Sequence, residues 1–371
     1  MRVAVIKLGS RISINSVGTS GGTGEALAII NILTNAGVAV DVYTKVSAGD
    51  IMPDDFNIYN IETAYKNVDI NYYDALIVLN GNVNYFGGVD SPSQTLNYYF
   101  INKLNCPVYY IMCDCNLFLK QIWPSIEKKS WASNYNKKDI EIVRDDTIYV
   151  TQAKNTKLVL EKARKYVNIK DAIYFPFEKF PMLTLYNWPI NQNPEYDILY
   201  GGTFRSGRRE EDMIKFYFGY SPDIKVEMFG NITLDNFNQD KVRNLRAPDF
   251  GKSVQYNLFS DKMHKAISTV IIGDKIYKKL DDLAQRIYES IMIGNVVFID
   301  SSYDFSKRVF KNKELLEFNY VNSIKDVEQK LKMLKEDFNF RKHIIDLQRE
   351  DTKIDIKDYC NKFKDIINGG K

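Results

Sequence analysis

Apolar residues along this chain gather into short, nearly continuous runs, and between the runs they recur at every third or fourth position. The runs Arg2–Lys7, Val38–Tyr43, Ala75–Leu79, Val108–Met112, Thr147–Thr151 and Ala172–Phe175 have strand length. Strands that read as unbroken apolar stretches are buried on both faces, as in a parallel sheet covered by helices. Between them, Gly24–Asn35 carries Ala26, Leu27, Ile30 and Leu33 at helical spacing, and Gly37 follows as a helix-terminating glycine. Gln94–Leu104 and Thr156–Lys165 read as further helices. The polar, proline-bearing stretch Asn187–Pro194 then interrupts the pattern and is the best linker in the chain. Beyond it the alternation restarts with strands Ile198–Gly201, Lys225–Phe229, Thr269–Ile272 and Val296–Ile299 and helices Glu210–Phe218 and Leu283–Ile293. The end is helical over Ile324–Leu334, Phe340–Gln348 and Ile354–Ile367. The pattern predicts two α/β domains: residues 1–186, completed by a C-terminal helix at about 350–371, and residues 187–349. A chain of 371 residues suits two domains of ~100–200 residues each.

Composition narrows the function. Apolar residues make up 45% of the chain and charged residues 26%, so both domains can build ordinary cores. Apolar runs such as Val270–Ile272 and Val296–Ile299 fall far short of the ~20 residues of a membrane span. Met1–Leu8 lacks the length and cleavage site of a signal peptide, so a cytosolic protein is expected. The four cysteines form no C-x-x-C pair, which argues against a zinc site or a disulfide framework. The two histidines, His264 and His343, lie in helical text, so any general base is expected to be a carboxylate. Net charge is only +3; the local clusters Lys128-Lys129, Lys137-Lys138 and Arg205–Arg209 say more than the total, although a basic cluster by itself is commonly a solvated surface.

Three stretches carry candidate chemistry. Tyr200-Gly201-Gly202-Thr203-Phe204-Arg205-Ser206-Gly207-Arg208-Arg209-Glu210 joins a strand to a helix. Its glycines permit close backbone approach, the helix start presents free N–H groups, and Arg205 and Arg209 match phosphate oxygens, so the stretch predicts an anion site. It is not a Walker loop, whose spacing is absent. Arg286 and Glu289 share a helix face and could hold a diphosphate and ribose hydroxyls; on spacing alone a surface ion pair is the better reading. Asp114, between Cys113 and Cys115, leaves the carboxyl end of a strand, where a base or a solvated cap fits equally well. The glycine-rich Gly18–Glu25 is expected to be a flexible loop over the cleft.

Taken in order, several blocks resemble the DNA β-glucosyltransferase family of T-even bacteriophages. They are Val78-Leu79-Asn80 with Asn84-Tyr85-Phe86-Gly87-Gly88, Tyr109-Tyr110 with Asp114 and Trp123-Pro124, and Tyr174-Phe175-Pro176-Phe177-Glu178. They continue through Tyr200–Glu210, Phe229-Gly230-Asn231, Ile271-Ile272-Gly273-Asp274-Lys275, and Arg286 with Glu289. The resemblance implies an α/β fold of the GT-B type, with two Rossmann-like domains facing a deep central cleft and C-terminal helices packing back toward the first domain. It implies an inverting enzyme that moves glucose from UDP-glucose to 5-hydroxymethylcytosine in duplex DNA, in the cytoplasm of an infected bacterium. Asp114 falls on the family's catalytic base. Gly202, Thr203 (where the family has serine), Arg205, Arg209 and Arg286 fall on its diphosphate ligands, and Glu289 on the ribose-binding glutamate. Val254 falls near the uracil contact, Glu25 on a cleft glutamate beside the sugar, and Asn84 and Phe86 on the loop that enters DNA where the target base is flipped out. The resemblance implies no tightly bound cofactor and no metal ligand; UDP-sugar is a co-substrate, and Mg2+ or Mn2+ stimulation is compatible. The partners it implies are hydroxymethylated double-stranded DNA and UDP-sugar, without a membrane, and a monomer is the default.

Some positions depart from the family. Asn116 replaces an arginine two residues after the base, the Gly18–Gly24 stretch is longer, and Lys278–Asp282 differs and carries one extra residue. These surround the sugar and acceptor rather than the diphosphate. A pentose donor such as UDP-arabinose, hydroxymethyluracil as acceptor, or a non-DNA acceptor therefore stays open.

Overall fold

The longest apolar runs become the strands at the centre of two parallel sheets. The structure, a computed structural model, describes residues 1–7, 12–13, 15, 20–44, 46–52, 54, 56–60, 68–69, 71–79, 104–112, 146–164, 169–180, 187–204 and 209–369. Its contacts divide the chain into a first unit, Met1–Phe177 with Ile354–Lys371, and a second, Glu178–Lys353.

The first unit contains β1 (Arg2–Lys7), α1 (Ser20–Asn35), β2 (Ala39–Thr44), β3 (Asn57–Asn60), β4 (Ala75–Leu79), β5 (Val108–Met112), β6 (Ile148–Thr151), α2 (Thr156–Ala163) and β7 (Asp171–Tyr174). The strands are all parallel in the order β3-β2-β1-β4-β5-β6-β7. Val3, Ala4, Val5 and Ile6 of β1, and Ala75 through Leu79 of β4, are buried, as the sequence pattern requires of central strands.

One expectation is corrected here. Residues 20–25 are not a flexible loop but the opening of α1. A glycine costs a helix only ~1 kcal/mol relative to alanine, and the buried stripe Ala26, Ile30 and Leu33 holds the helix by tertiary packing. The expected helix Gln94–Leu104 lies outside the described residues except for Leu104, which is not helical.

The second unit comprises β8 (Tyr196–Thr203), α3 (Glu210–Tyr217), β9 (Val226–Asn231), the one-turn α4 (Gln239–Val242), β10 (Asp249–Gly251), α5 (Phe259–His264), β11 (Ala266–Ile271), α6 (Lys275–Leu280), α7 (Arg286–Ile293), β12 (Val296–Asp300), α8 (Lys313–Phe318), β13 (Tyr320–Val321), α9 (Ile324–Glu336) and α10 (Phe338–Thr352). Its sheet is also parallel, in the order β10-β9-β8-β11-β12-β13. The strand order reverses between β8 and β11, the point at which open parallel sheets bind ligands. The proline-bearing stretch is fastened to this unit: Trp188 N–H donates to the Met292 carbonyl at 2.9 Å, and Arg349 and Arg341 donate to the carbonyls of Trp188 and Asn191.

The last helix, α11 (Ile356–Ile367), returns to the first unit. Asp355 caps it by accepting from Asp358 N–H. Phe363 packs 4.9 Å from Phe175, the Tyr359 hydroxyl donates to the Pro176 carbonyl, and Lys364 donates to the carbonyl of Ala36, just past the end of α1.

Candidate functional site

The site in the second unit begins where β8 leaves the core. Ile198 and Leu199 are fully buried, and the strand then runs Tyr200-Gly201-Gly202-Thr203 to its exposed carboxyl end. At Gly201 a side chain would lie 2.5 Å from the Phe259 ring and 2.7 Å from the Phe229 ring. Gly202 pairs in register with Gly230 of β9. Gly230 has φ +123°, and a Cβ there would meet the Gly202 carbonyl oxygen at 1.9 Å. Paired glycines thus pinch the strand ends together and leave the Gly202–Thr203 backbone open to a ligand. Gly230→Ala is expected to displace Gly202 and lower stability by roughly 1–3 kcal/mol. Thermal melting would register the loss; unchanged melting would show that the strands separate without cost.

Past the segment 205–208, which lies outside the described residues, Arg209 stands at the N-terminus of α3. Its guanidinium donates to the Tyr200 hydroxyl at 3.0 Å. The first turn of α3 carries Glu210, Glu211 and Asp212, which by themselves would repel an anion. Glu211 and Asp212 face lysines, Lys275 at 3.2 Å and Lys278 at 3.1 Å, and Glu210 accepts from Asn238 N–H. The helix end can therefore act as an anion-binding terminus.

Arg286 and Glu289 open α7. The Arg286 guanidinium lies 3.9 Å from the centre of the Phe259 ring, and its Nε is 3.4 Å from Glu289 Oε2. Glu289 is only 1% exposed, so this is not the surface ion pair that spacing alone favours. Neither Glu289 oxygen nor Arg286 Nη1 has a hydrogen-bond partner. Burial pushes the Glu289 carboxyl above its ordinary range, and Arg286 pulls it partly back. Buried polar groups are ordinarily satisfied. An arginine and a carboxylate with unused hydrogen-bonding capacity, side by side, match a ligand that brings an anion and hydroxyl donors together. Half-buried Val254 packs onto the apolar cluster of Leu199, Phe229 and Phe259, which would suit a planar ring.

Phe259 connects these parts. It underlies Gly201, carries Arg286 on its face and shares a cluster with Val254. Sequence reading missed Phe259, which looks like a core residue of a short helix, and placed Tyr200 in the anion-site stretch without its bond to Arg209. The structure thus gathers Gly202, Thr203, Arg209, Val254, Arg286 and Glu289 around Phe259 and the end of β8 in the second unit. Glu25 is on α1 of the first unit. Asp114, Arg205, Asn84 and Phe86 lie outside the described residues. Among the described residues no three His, Cys, Asp or Glu side chains converge as metal ligands would, and no helix is long and apolar enough to cross a membrane.

Known proteins share this architecture along the whole chain. Residues 1–181 match the family model described as bacteriophage T4 beta-glucosyltransferase. The DNA beta-glucosyltransferase of Enterobacteria phage T4 is 26% identical over 373 residues, spanning 99% of this chain and 100% of that one. The chain is thus similar to the T4 enzyme over its whole length. A structure of the T4 phage glucosyltransferase with UDP and Mn2+ superimposes with a TM-score of 0.75 at 25% identity, covering 99% of both chains. The same enzyme in complex with its UDP-glucose substrate gives 0.71 at 25% identity, covering 100% of this chain and 98% of that one. The fold class is accordingly α/β of the GT-B type, shared with the T4 beta-glucosyltransferase.

Proposed function

We propose that this chain is a UDP-sugar-dependent DNA glycosyltransferase that transfers glucose to the hydroxymethyl group of 5-hydroxymethylcytosine in phage duplex DNA, as a monomer in the cytoplasm of the infected host. The observation that carries the reading is the buried Arg286–Glu289 pair with its unused hydrogen-bonding groups, beside the pinched end of β8, in a chain collinear with the T4 DNA beta-glucosyltransferase.

The chemistry follows from the charges. UDP departs carrying negative charge on its diphosphate. The Gly202 and Thr203 backbone, Arg205, Arg209 and Arg286 hold those oxygens and stabilise the charge as it develops. Glu289 accepts from the ribose hydroxyls, the uracil lies against Val254, and Glu25 approaches the sugar. Asp114 takes the proton from the acceptor hydroxymethyl group. The freed oxygen attacks the anomeric carbon opposite the diphosphate, the bond to the diphosphate oxygen breaks, and the configuration inverts. A divalent ion bound with UDP, as in the T4 structure with Mn2+, would neutralise the leaving diphosphate; none of these residue roles runs through it. A stacked base cannot reach between the reacting groups, so the target must be flipped out, with Asn84 and Phe86 entering the duplex.

Replacing Asn84 and Phe86 together with alanine is expected to weaken DNA binding by about tenfold or more, given the few kcal/mol that base extrusion costs, without changing UDP affinity. An unaltered DNA isotherm would favour an acceptor other than DNA. The reaction itself is tested by mass spectrometry of nucleosides from duplexes containing hydroxymethylcytosine or hydroxymethyluracil, incubated with a panel of UDP-sugars. One added hexose on hydroxymethylcytosine is the expected product. A second reading, with a pentose donor or hydroxymethyluracil acceptor, rests on Asn116 and the altered Lys278–Asp282 stretch; an added pentose, or product on the uracil analogue alone, would establish it.

A further inference from the structure

The loop between β12 and α8 has no part in the chemistry above. It begins at the carboxyl end of β12, on the same edge of the sheet as Gly202, because β8, β11 and β12 are parallel neighbours. Two strand spacings place it roughly 10 Å along that edge. Phe305 projects from it with 61% of its surface exposed, more than any other large apolar residue among those described.

An exposed phenylalanine on a slack loop would mean little, but this loop is firmly built. Tyr303 is buried and donates to the Asp282 carbonyl at 2.9 Å. Asp304 is buried and accepts from Arg308 N–H at 2.9 Å, Val309 N–H at 3.0 Å and the Tyr320 hydroxyl. Arg308 donates to the Asp281 carbonyl at 2.7 Å and pairs with its carboxylate at 3.0 Å. Lys307 takes a left-handed φ of +51°, so the two residues flanking the turn are fixed while Phe305, Ser306 and Lys307 stay exposed.

Cations follow Phe305 closely along the chain. Lys307, Arg308, Lys311 and Lys313 fall within seven consecutive positions, 307–313. Lys311 is exposed; burial pushes the half-buried Lys179 ammonium down, Glu178 opposes that, and Lys311 and Arg308 add to it. Asp281 is engaged by Arg308, and Asp351 accepts from the Lys311 and Asn312 backbone. Among the described residues no ion pair is formed by Lys307 or Lys311.

We propose that Phe305, Lys307 and Lys311 form a contact surface for the sugar–phosphate backbone of the acceptor DNA, with the ammonium groups on successive phosphates and the ring against the deoxyribose faces. Polyanionic duplex DNA suits this surface on charge, since it presents one phosphate per ~1.7 Å of helix axis, and the loop lies two strands from β8 on the same edge of the sheet. The inference rests on the proposed DNA glycosyltransferase reading and adds a second-unit anchor to it.

The test is the salt dependence of duplex binding, measured on the full chain with UDP present. Lys307→Ala with Lys311→Ala should reduce the slope of log affinity against log salt by about 2, at ~0.9 for each phosphate no longer neutralised, and Phe305→Ala should weaken binding several-fold with little change in slope. Lys307→Arg with Lys311→Arg should retain the slope, and UDP affinity and melting temperature should not change in any variant. If wild-type protein binds duplex and the alanine variants bind with the same affinity and slope, this surface is not a DNA-binding one. If wild-type protein fails to bind duplex at all, the inference falls together with the reading beneath it, and the wild-type control reports that separately.

Discussion

Asp114→Asn is expected to bind UDP as the native chain does while losing sugar transfer by a factor of ~10²–10⁴, the contribution of a positioned general base. Asparagine keeps the size and hydrogen-bonding reach of aspartate but cannot take the acceptor proton. The alternatives to a carboxylate are few. Of the two histidines, His264 has Nδ1 engaged with the Ile293 carbonyl at 2.9 Å and its ring against Trp188, and His343 is paired with Glu314 at 3.1 Å on the surface of α10. In sequence Asp114 comes two positions after Met112, the last residue of β5, and the carboxyl ends of parallel strands are where functional groups are commonly presented. Single-turnover transfer together with UDP titration separates the two effects. Transfer at the native rate would remove Asp114 from the role of base, and abolished UDP binding would show that the substitution acts on the donor instead.

Arg286→Ala should weaken UDP binding by about 2–3 kcal/mol, or ~30- to 150-fold, the range for a charge-assisted hydrogen bond to phosphate. It should also destabilise the ligand-free protein. Glu289 would be left fully buried without its cation, and removing one partner of a buried pair costs ~3–5 kcal/mol unless the remaining group is neutralised. The variant is therefore expected to take up a proton at Glu289. The double variant Arg286→Ala/Glu289→Gln should recover melting temperature without recovering UDP affinity; an unchanged UDP affinity in Arg286→Ala alone would count against the diphosphate assignment. The pH dependence has a definite sign. Because burial raises the Glu289 carboxyl above its unfolded value, the folded state binds that proton more tightly. The resulting stability is fully present below the unfolded value and is lost as pH rises through the raised one. UDP binding is expected to run the other way, since only the ionised Glu289 carboxylate has both oxygens free to accept from hydroxyl donors. Glu289→Gln should flatten both dependences.

By itself the sequence determined the two parallel sheets. Strands such as β1, β4 and β12 are buried on both faces, so their central positions are continuously apolar, and that signature needs no knowledge of neighbours. It also determined the final helix, whose buried positions Tyr359, Phe363 and Ile367 repeat at helical spacing. Short edge strands were not legible: β3 is half exposed and β13 has two residues, too little for any period to declare itself. The start of α1 was misread because glycine is a local signal, whereas the helix is held by packing of its later residues. In the site, the Gly201-Gly202 stretch and the arginines were visible as chemistry. Only the tertiary structure decided that Gly230 pinches against Gly202, that Phe259 joins the glycines to Arg286, and that Glu289 is buried rather than on a surface. Each of those depends on residues far apart in the chain meeting at one sheet edge. Spacing within a helix reports which side chains are neighbours, but burial, and with it the energy of a charge, is set by what the rest of the fold places over them.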